Sequence, residues 1–383
     1  MYNTLIGEFC ASYDDWQALL TAEPYFLKIK EDDGYIIFNY DQLASDFSIP
    51  IVREARGIIF KRDNWKHPVC WGFNKFGNVG EGYVPDIDWS TAFVNEKIDG
   101  SLIKIWWDWS GGWHISTNGT IDAYKAELND VKMPNFGIYF EKALEKYFSS
   151  FDDFVEDLNN DLTYMFELVG PFNRVVIPYD EPDLYFLGAR NKFTGEEFLP
   201  TALNMENLGV LAFRRPAVYS LSSLDDCLKA AELKSWDDEG FVVCDKDFNR
   251  AKIKSPAYVM AHFMRNNNVI TKRRLIRIIL MNEVAEFMCY ASEYKDALLE
   301  CQNLMNGYFK LGDSFITSVR KARSMSRRDF AELVKTFPSI FQGALFLNYD
   351  RDISMKEFTS NWSEYKWEEY LERVKSFKNE YFK

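Results

Sequence analysis

The sequence lacks the features that would assign it to several large classes of protein. Among its 383 residues, none of the six cysteines forms a CxxC pair, and the three histidines are too scattered for a zinc site. No apolar run approaches the roughly 20 residues that a membrane-spanning helix needs. These absences disfavour a disulfide scaffold, a zinc protein and a membrane protein. We expect a reduced, cytoplasmic chain, in a host cytoplasm if it is viral, with buried thiols.

The chain also lacks an excess of positive charge. Its formal net charge is −13, so the molecule as a whole does not attract polyanions. A nucleic-acid partner would have to be held by local basic patches and a bound cation. The length suits two domains, and a hydrophobic fraction of 47% is sufficient for well-packed cores.

The first two thirds of the chain alternate short apolar stretches with turns. Segments rich in β-branched and aromatic residues, bounded by Gly, Asn, Asp or Pro, predict strands at 34–40, 57–60, 101–107 and 163–169. Ser110-Gly-Gly predicts a hairpin turn. Residues 134–154 have helical spacing and are the main helical interruption.

After Pro256 the apolar residues recur at helical spacing, as in Ile276, Leu280 and Val284, and Ser326 predicts a helix cap. The pattern predicts an α+β fold in which an antiparallel-rich domain, residues 1–255, is followed by an all-helical domain, residues 256–383.

The segment 96–101, EKIDGS, places a lysine just before a turn and a strand-like run. A lysine becomes nucleophilic only after losing its proton, which nearby cations or a metal favour. Asp99 could orient the amine of Lys97 or a metal. Alone, the KxDG pattern is weak, and a surface turn is an equally good interpretation.

Charged residues at other strand ends strengthen that hypothesis. Arg56 begins an apolar strand and could reach a phosphate, Lys75 lies beside an aromatic residue, and Glu167 lies inside an apolar strand where an unpaired charge is costly. Taken singly, each could be an ordinary solvated residue.

Two further motifs follow along the chain. Glu239 heads another apolar strand, although a plain turn would also explain it. Lys252 and Lys254 fall on one face of a strand and repel each other unless an anion lies between them. A solvated edge strand is the alternative. The whole ordered series is far less expected by chance than any single member.

In this order (KxDG, strand-embedded Glu, EGxV, KxK) the motifs resemble those of the covalent nucleotidyltransferases, which include RNA ligases, DNA ligases and capping enzymes. More narrowly, the chain resembles the bacteriophage tRNA-repair RNA ligases of the RNA ligase 1 type, through segments 56–60, 75–76, 170–176 and 194–196. The motifs lie within about residues 35–258. The last third resembles the family only in its helical character.

The resemblance implies a nucleotidyltransferase domain followed by an RNA-specificity domain, and a role for each matching residue. Lys97 would attack the α-phosphorus of ATP and carry AMP, Asp99 would position it, and Lys252 and Lys254 would contact the α-phosphate. The further ATP-binding residues would be Arg56, Lys75, Glu96, Asn118 and Glu167.

Magnesium or manganese would be held by Asp99, Glu167 and Glu239, through water. Asn118 is a departure, because the family usually has a lysine in this element, whereas Asn118 could donate a hydrogen bond but supplies no charge.

The implied activity is ATP-dependent joining of 5′-phosphate and 3′-hydroxyl RNA ends by a monomer, in RNA repair, with a cleaved tRNA anticodon loop as one substrate. Basic clusters at 272–277 and 320–328 are candidate RNA contacts or solvated helix faces. The alternatives are a DNA ligase, a GTP-using capping enzyme and a non-catalytic RNA-binding relic. The first two would follow KxK with a five-stranded barrel, whereas this sequence predicts helices there.

Overall fold

The computed structural model describes residues 4–128, 130–200, 210–264, 270–281, 283–284, 287–288 and 294–381. The chain divides into two compact units, Met1–Arg265 and Asn266–Lys383. The first unit therefore extends past residue 255, where the sequence suggests a boundary, and takes in one more helix, Pro256–Met264.

The strands of the first unit pair antiparallel in three sheets. The first sheet has the order β1 (Leu27–Asp32), β2 (Tyr35–Tyr40), β3 (Arg56–Lys61). The second has the order β10 (Val218–Tyr219), β4 (Phe93–Glu96), β11 (Gly240–Cys244), β12 (Arg250–Lys254). The third has the order β6 (Gly112–Thr117), β5 (Ser101–Asp108), β7 (Leu162–Val169), β8 (Asp183–Asn191), β9 (Glu197–Phe198).

Seven helices are described in this unit. They are α1 (Leu5–Ser12), α2 (Trp16–Thr21), α3 (Pro50–Glu54), α4 (Phe136–Leu144), α5 (Phe151–Val155), α6 (Leu224–Glu232) and α7 (Pro256–Met264). Capping residues explain where several begin: Thr4 accepts from the Gly7 amide at α1, and Asn135 accepts from the Ile138 amide at α4.

The continuous apolar run of β2 follows from burial on both faces. Ile36 and Phe38 pack in a core with α1 and α3, whereas Tyr35 and Ile37 pack on the opposite side with Trp106 of β5. A strand covered on both faces has no polar side, so its sequence does not alternate.

Strand β5 has two differently used faces. Ile103 and Ile105 enter the largest core of the unit, formed with α4, α5, β7 and β8. The alternate residues, Lys104 and Trp106, point the other way and are also fully buried. The predicted turn follows at once, because β5 ends at Asp108 and β6 begins at Gly112.

The second unit is helical throughout its described residues. Its helices are α8 (Lys272–Leu280), α9 (Lys295–Val319), α10 (Arg327–Lys335), α11 (Ser339–Leu347), α12 (Met355–Thr359) and α13 (Glu364–Tyr381). Their core is centred on Tyr308, Phe341 and Trp367. Ser326 caps α10 by accepting from the Asp329 amide, as its sequence predicts.

The element order confirms the α+β prediction of an antiparallel-rich part followed by helices. The four predicted strands correspond to β2, β3, β5 and β7. Five cysteines are free and buried, and Cys289 lies outside the described residues. Among the described helices, none is both long and apolar enough to cross a bilayer.

Candidate active site

The register between β4 and β11 brings Lys97 beside Glu239. Lys97 follows directly after β4, and its backbone amide donates to the Gly240 carbonyl at 2.9 Å. Gly240 has φ +121°, and a Cβ there would collide with the carbonyl of Ile253 on β12. Glycine is therefore required for β11 and β12 to approach at this point, which places Glu239 where β11 begins and β12 ends.

Glu239 holds two of the predicted lysines. One carboxylate oxygen lies 2.6 Å from the Nζ of Lys97 and the other 3.8 Å from the Nζ of Lys254. The side chain of Glu239 is 5% exposed and both lysine side chains are 19% exposed. The Lys97 amine is thus fixed next to a carboxylate yet is still reachable by a ligand.

Lys252 lies at the centre of a group of cations. Its pKa is lowered well below 10.5, first by burial and then by the positive charges of Lys75, Lys97, Arg56 and Lys254. Burial and like charge both disfavour its ammonium form. An anionic ligand would remove this penalty, as the sequence pattern suggests.

Phe76 separates two of these cations. Its ring centre lies 5.1 Å from Lys252 Nζ and 5.2 Å from the Arg56 guanidinium. Backbone hydrogen bonds fix the 77–79 segment along β12: the Lys252 amide donates to the Gly77 carbonyl at 2.9 Å, and the Lys252 carbonyl accepts from the Val79 amide at 3.0 Å. These contacts place Phe76 between strands β3 and β12.

Arg56 and Lys75, two cations of this group, have different surroundings. Arg56 Nη1 is buried without a hydrogen-bond partner among the described residues. Lys75 Nζ lies over the rings of Phe47 and Tyr40, at 5.2 and 5.6 Å. A buried guanidinium nitrogen without an acceptor favours binding of an anionic oxygen.

Glu167 lies on β7 and is partly buried. Burial, opposed by Lys97 but reinforced by the negative charges of Glu239 and Asp99, raises its pKa to about 8. Its place inside an apolar strand gave the only sequence signal for this residue. The structure puts its carboxyl in electrostatic contact with both Lys97 and Glu239.

Asp99 uses both carboxylate oxygens inside the protein. Oδ2 accepts from the amides of Val176 and Ile177 at 2.9 and 2.8 Å, and Oδ1 accepts from the Tyr258 hydroxyl at 2.8 Å. This geometry supports a positioning role for Asp99 and gives no independent support to metal binding. Sequence reasoning did not single out Tyr258, whose only local signal is its place close behind the two lysines of β12.

Two other predicted residues lie at the edges of the site. The backbone amide of Glu96 donates to the Ala217 carbonyl at 2.7 Å, and its Oε2 accepts from the Ala217 amide at 3.2 Å. Asn118 has a buried Oδ1 without a hydrogen-bond partner among the described residues. Asn173, within the 170–176 segment, donates to Ser101 Oγ and to the Leu168 carbonyl, at 3.1 and 2.6 Å.

The carboxylates of the site fit a hydrated cation better than direct coordination. Within the described residues, no three His, Cys, Asp or Glu side chains converge as a metal-ligand group. The negative charge of Glu239 nevertheless helps to raise the pKa of Glu167, and a divalent ion would relieve this repulsion. Magnesium usually keeps several waters, so two carboxylates could hold it through them.

Several cations of the basic clusters in the second unit form ion pairs within that unit. In the first cluster, Lys272, Arg273 and Arg277 pair with carboxylates of α13. In the second, Arg320 and Arg323 pair with Asp352. These pairs support the solvated-face interpretation over free RNA contacts.

A lysine beside a buried carboxylate, among several cations at the ends of antiparallel strands, is the arrangement expected of a protein that handles a nucleoside polyphosphate. The sequence model of the RNA ligase family matches residues 54–258, and the chain belongs to this family. The resemblance to covalent nucleotidyltransferases is thereby confirmed.

Individual relatives are distant. The chain is 28% identical over 337 residues to a protein of Autographa californica nuclear polyhedrosis virus, provisionally named a bifunctional polynucleotide kinase/RNA ligase. This match covers 82% of the chain and 46% of the relative, so the chain spans about half of that protein. An RNA ligase of Rhodothermus phage RM378 is 26% identical over 305 residues, covering 64% of the chain and 67% of the relative. A solved archaeal ATP-dependent RNA ligase has a TM-score of 0.45 at 15% identity, over 77% of this chain and 78% of its own.

Proposed function

We propose that this protein joins RNA ends in an ATP-dependent reaction that passes through AMP bound covalently to Lys97. The observation that carries the proposal is the placement of the Lys97 amine 2.6 Å from Glu239, in the electrostatic field of the cations around Lys252. Such a cluster costs free energy without an anion and stabilises a triphosphate when one binds.

In the first step, Lys97 Nζ attacks the α-phosphorus of ATP. A nitrogen–phosphorus bond forms, and the bond from the α-phosphorus to the oxygen bridging to the β-phosphorus breaks. Glu239 lies close enough to accept a proton from the amine. Lys252 and Lys254 contact the α-phosphate, and Arg56 and Lys75 face the pyrophosphate, whose negative charge grows as it leaves.

In the second step, a 5′-phosphate oxygen of RNA attacks the lysyl-AMP phosphorus and frees Lys97. The RNA then carries a 5′–5′ pyrophosphate linkage. In the third step, a 3′-hydroxyl attacks the activated RNA phosphate and AMP leaves. Lys252 and Lys254 serve each step, because each is an in-line displacement at phosphorus.

Magnesium or manganese would be held by Glu167 and Glu239, with Asp99 positioning the adjoining backbone. When bound, the ion would neutralise phosphate charge. Glu167 would also bind the ribose hydroxyls. Burial raises the pKa of Glu167, and a bound cation would lower that pKa and so favour the ionised carboxylate.

For the whole protein we propose a monomer that acts in RNA repair, with cleaved tRNA anticodon loops among its substrates. The first compact unit would carry out adenylylation and the helical unit would recognise RNA. The names of the viral and phage relatives support RNA joining in general. The structure of the helical unit does not indicate which RNA is recognised, because most of its clustered cations form ion pairs within the unit.

Labelling with α-³²P-ATP tests the central claim. Wild-type protein incubated with ATP and Mg²⁺ should give a labelled band on denaturing gels, and Lys97→Ala should not. Lys229→Ala removes an exposed lysine that pairs with Asp225 on α6 and serves as the matched control. Absence of a band from folded wild-type protein, free of prior adenylylation, would leave a non-catalytic RNA-binding protein as the better conclusion.

Two further comparisons define the substrates. Label from GTP in place of ATP would indicate a capping enzyme. Circularisation of 5′-phosphorylated RNA, but not of 5′-hydroxyl RNA or of the matching DNA, is the result expected for an RNA ligase. Joining of DNA alone would contradict the proposal.

A further inference from the structure

Lys104 is a fully buried lysine that the mechanism above does not use. It lies on β5, its relative exposure is 0%, and its ammonium donates to the carbonyl of Gly57. Its aliphatic stem fills the space beside Gly72, where an added Cβ would lie 3.0 Å from Lys104 Cδ. The side chain is therefore fixed along its whole length.

The charge of Lys104 has no carboxylate partner among the residues that the structure describes. Burial lowers the pKa of Lys104, and the nearby Arg56 guanidinium lowers it further, whereas the Cys70 thiol opposes the shift. A buried ammonium with only a neutral acceptor is more costly than one that is paired with a carboxylate. A nearby anionic ligand would reduce this cost.

The environment of Gly57 shows where that ligand would bind. Gly57 has φ +73°, and an added Cβ would lie 2.7 Å from Lys104 Nζ and 2.6 Å from the Asn118 carbonyl oxygen. Arg56 precedes this glycine, and both Arg56 Nη1 and Asn118 Oδ1 are buried without hydrogen-bond partners among the described residues. Lys104 thus supports the irregular start of β3, where Gly57 is skipped in the pairing with β2, and unmatched polar groups lie on both sides.

We propose that Lys104 is a positioning residue for the polyphosphate end of ATP. It fixes the irregular start of β3 through the Gly57 carbonyl and adds a second positive charge near the Arg56 guanidinium. The proposal rests on the proposed function, because it assigns Arg56 to the pyrophosphate. It also explains how Asn118, which has no charge, can adjoin a phosphate site: the cation comes from Lys104 of the neighbouring strand β5.

This role is limited to one chemical step. The β- and γ-phosphates are present during lysine adenylylation and absent once pyrophosphate has left. A charge that acts on them therefore affects adenylylation and pyrophosphate binding. It does not affect the joining of RNA that already carries a 5′-adenylate.

Three variants separate this role from simple packing. Lys104→Met keeps the length of the side chain and removes its charge. Lys104→Gln keeps a hydrogen-bond donor without the charge. Lys192→Met is the matched control, because Lys192 is also buried in this unit and donates to a backbone carbonyl, that of Trp107, at 2.6 Å.

Calorimetric titration of each protein with inorganic pyrophosphate gives a readout independent of turnover. Both Lys104 variants should bind pyrophosphate roughly tenfold more weakly than wild type, the order expected for losing one charged interaction. The KM for ATP in adenylylation should rise by a similar factor. Joining of pre-adenylylated RNA should remain at the wild-type rate, which also shows that the variants are folded.

Wild-type pyrophosphate affinity in Lys104→Met would overturn the proposal. Full affinity in Lys104→Gln alone would overturn the role of the charge. Equal losses of pyrophosphate binding and of joining, or the same loss in Lys192→Met, would assign Lys104 to packing. If wild-type protein forms no lysyl-AMP, the proposed function fails, and the pyrophosphate titrations still decide whether Lys104 supports an anion site.

Discussion

A buried triad of charges connects strands β8, β9 and β12, and removing its negative charge has a calculable effect. Glu197 of β9 lies 2.6 Å from Arg190 on one side and 2.6 Å from Arg250 on the other. All three side chains are 10% exposed or less. Arg190 also donates to the Gly72 carbonyl at 2.8 Å and to Asn74 Oδ1 at 3.1 Å, directly before Lys75.

The change Glu197→Gln keeps the shape of the side chain and removes the only negative charge of the triad. Two buried guanidinium groups then lose the carboxylate with which both form ion pairs. Removing one partner of a buried ion pair typically costs about 3–5 kcal/mol, because the remaining charge is desolvated and unpaired. We expect the free energy of unfolding to fall by about 4 kcal/mol, a large part of the net stability of a typical domain.

Urea denaturation at pH 7, followed by tryptophan fluorescence, measures this loss. The double variant Glu197→Gln/Arg250→Met should regain part of it, since one of the two unpaired charges is gone. Asp225→Asn, which breaks the exposed pair with Lys229, is the control and should leave the unfolding midpoint unchanged. A loss below about 1 kcal/mol for Glu197→Gln would refute the reasoning, because it would mean that water reaches the triad.

Three more predictions concern protonation, positioning and metal. Glu54 caps α1 through the amides of Leu5 and Ile6, and burial raises its pKa from 4.5 to about 7. The stability that this shift contributes should be complete below pH 4.5 and disappear as the pH rises through 7, about 3 kcal/mol in all. Denaturation at pH 5 and at pH 8 should therefore show a fall in the free energy of unfolding for wild type, and this fall should be absent in Glu54→Gln. Tyr258→Phe, which deprives Asp99 of a hydrogen bond, should slow adenylylation about tenfold or more with little change in the KM for ATP, and an unchanged rate would contradict the positioning role. EDTA should abolish adenylylation, and Mg²⁺ or Mn²⁺ should restore it, whereas full activity in EDTA would remove the metal from the proposal.

The parts of the structure that could be predicted from sequence are those set by local pattern. Strand β7 is apolar and β-branched, so both the strand and the unusual place of Glu167 within it are visible in the sequence. Alternation alone puts Lys252 and Lys254 on one face. Helices α1 and α2 were not predicted, because 8 and 6 residues are too few to establish a helical period.

The remaining features depend on contacts between residues far apart in the chain. The Lys97–Glu239 contact follows from the pairing of β4 with β11, which no local signal specifies. Lys104 sits in an apolar strand run, where a lysine would ordinarily be assigned to a solvated face. Only the pairing of β5 within its sheet, and the approach of Gly57, show that it is buried.

The net charge of −13 and an anionic substrate are compatible because electrostatic effects here are local. At physiological ionic strength, exposed charges are screened beyond about 8 Å, whereas buried ones interact more strongly through a low-dielectric interior. Most of the acidic excess therefore has little effect on the site. Within it, the cations Arg56, Lys75, Lys97, Lys252 and Lys254 face chiefly Glu167 and Glu239, and the pKa of Lys252 is lowered by the other four. The cation excess costs free energy in the free protein. Under the proposed function, the free energy recovered when a triphosphate binds would allow an acidic chain to bind one.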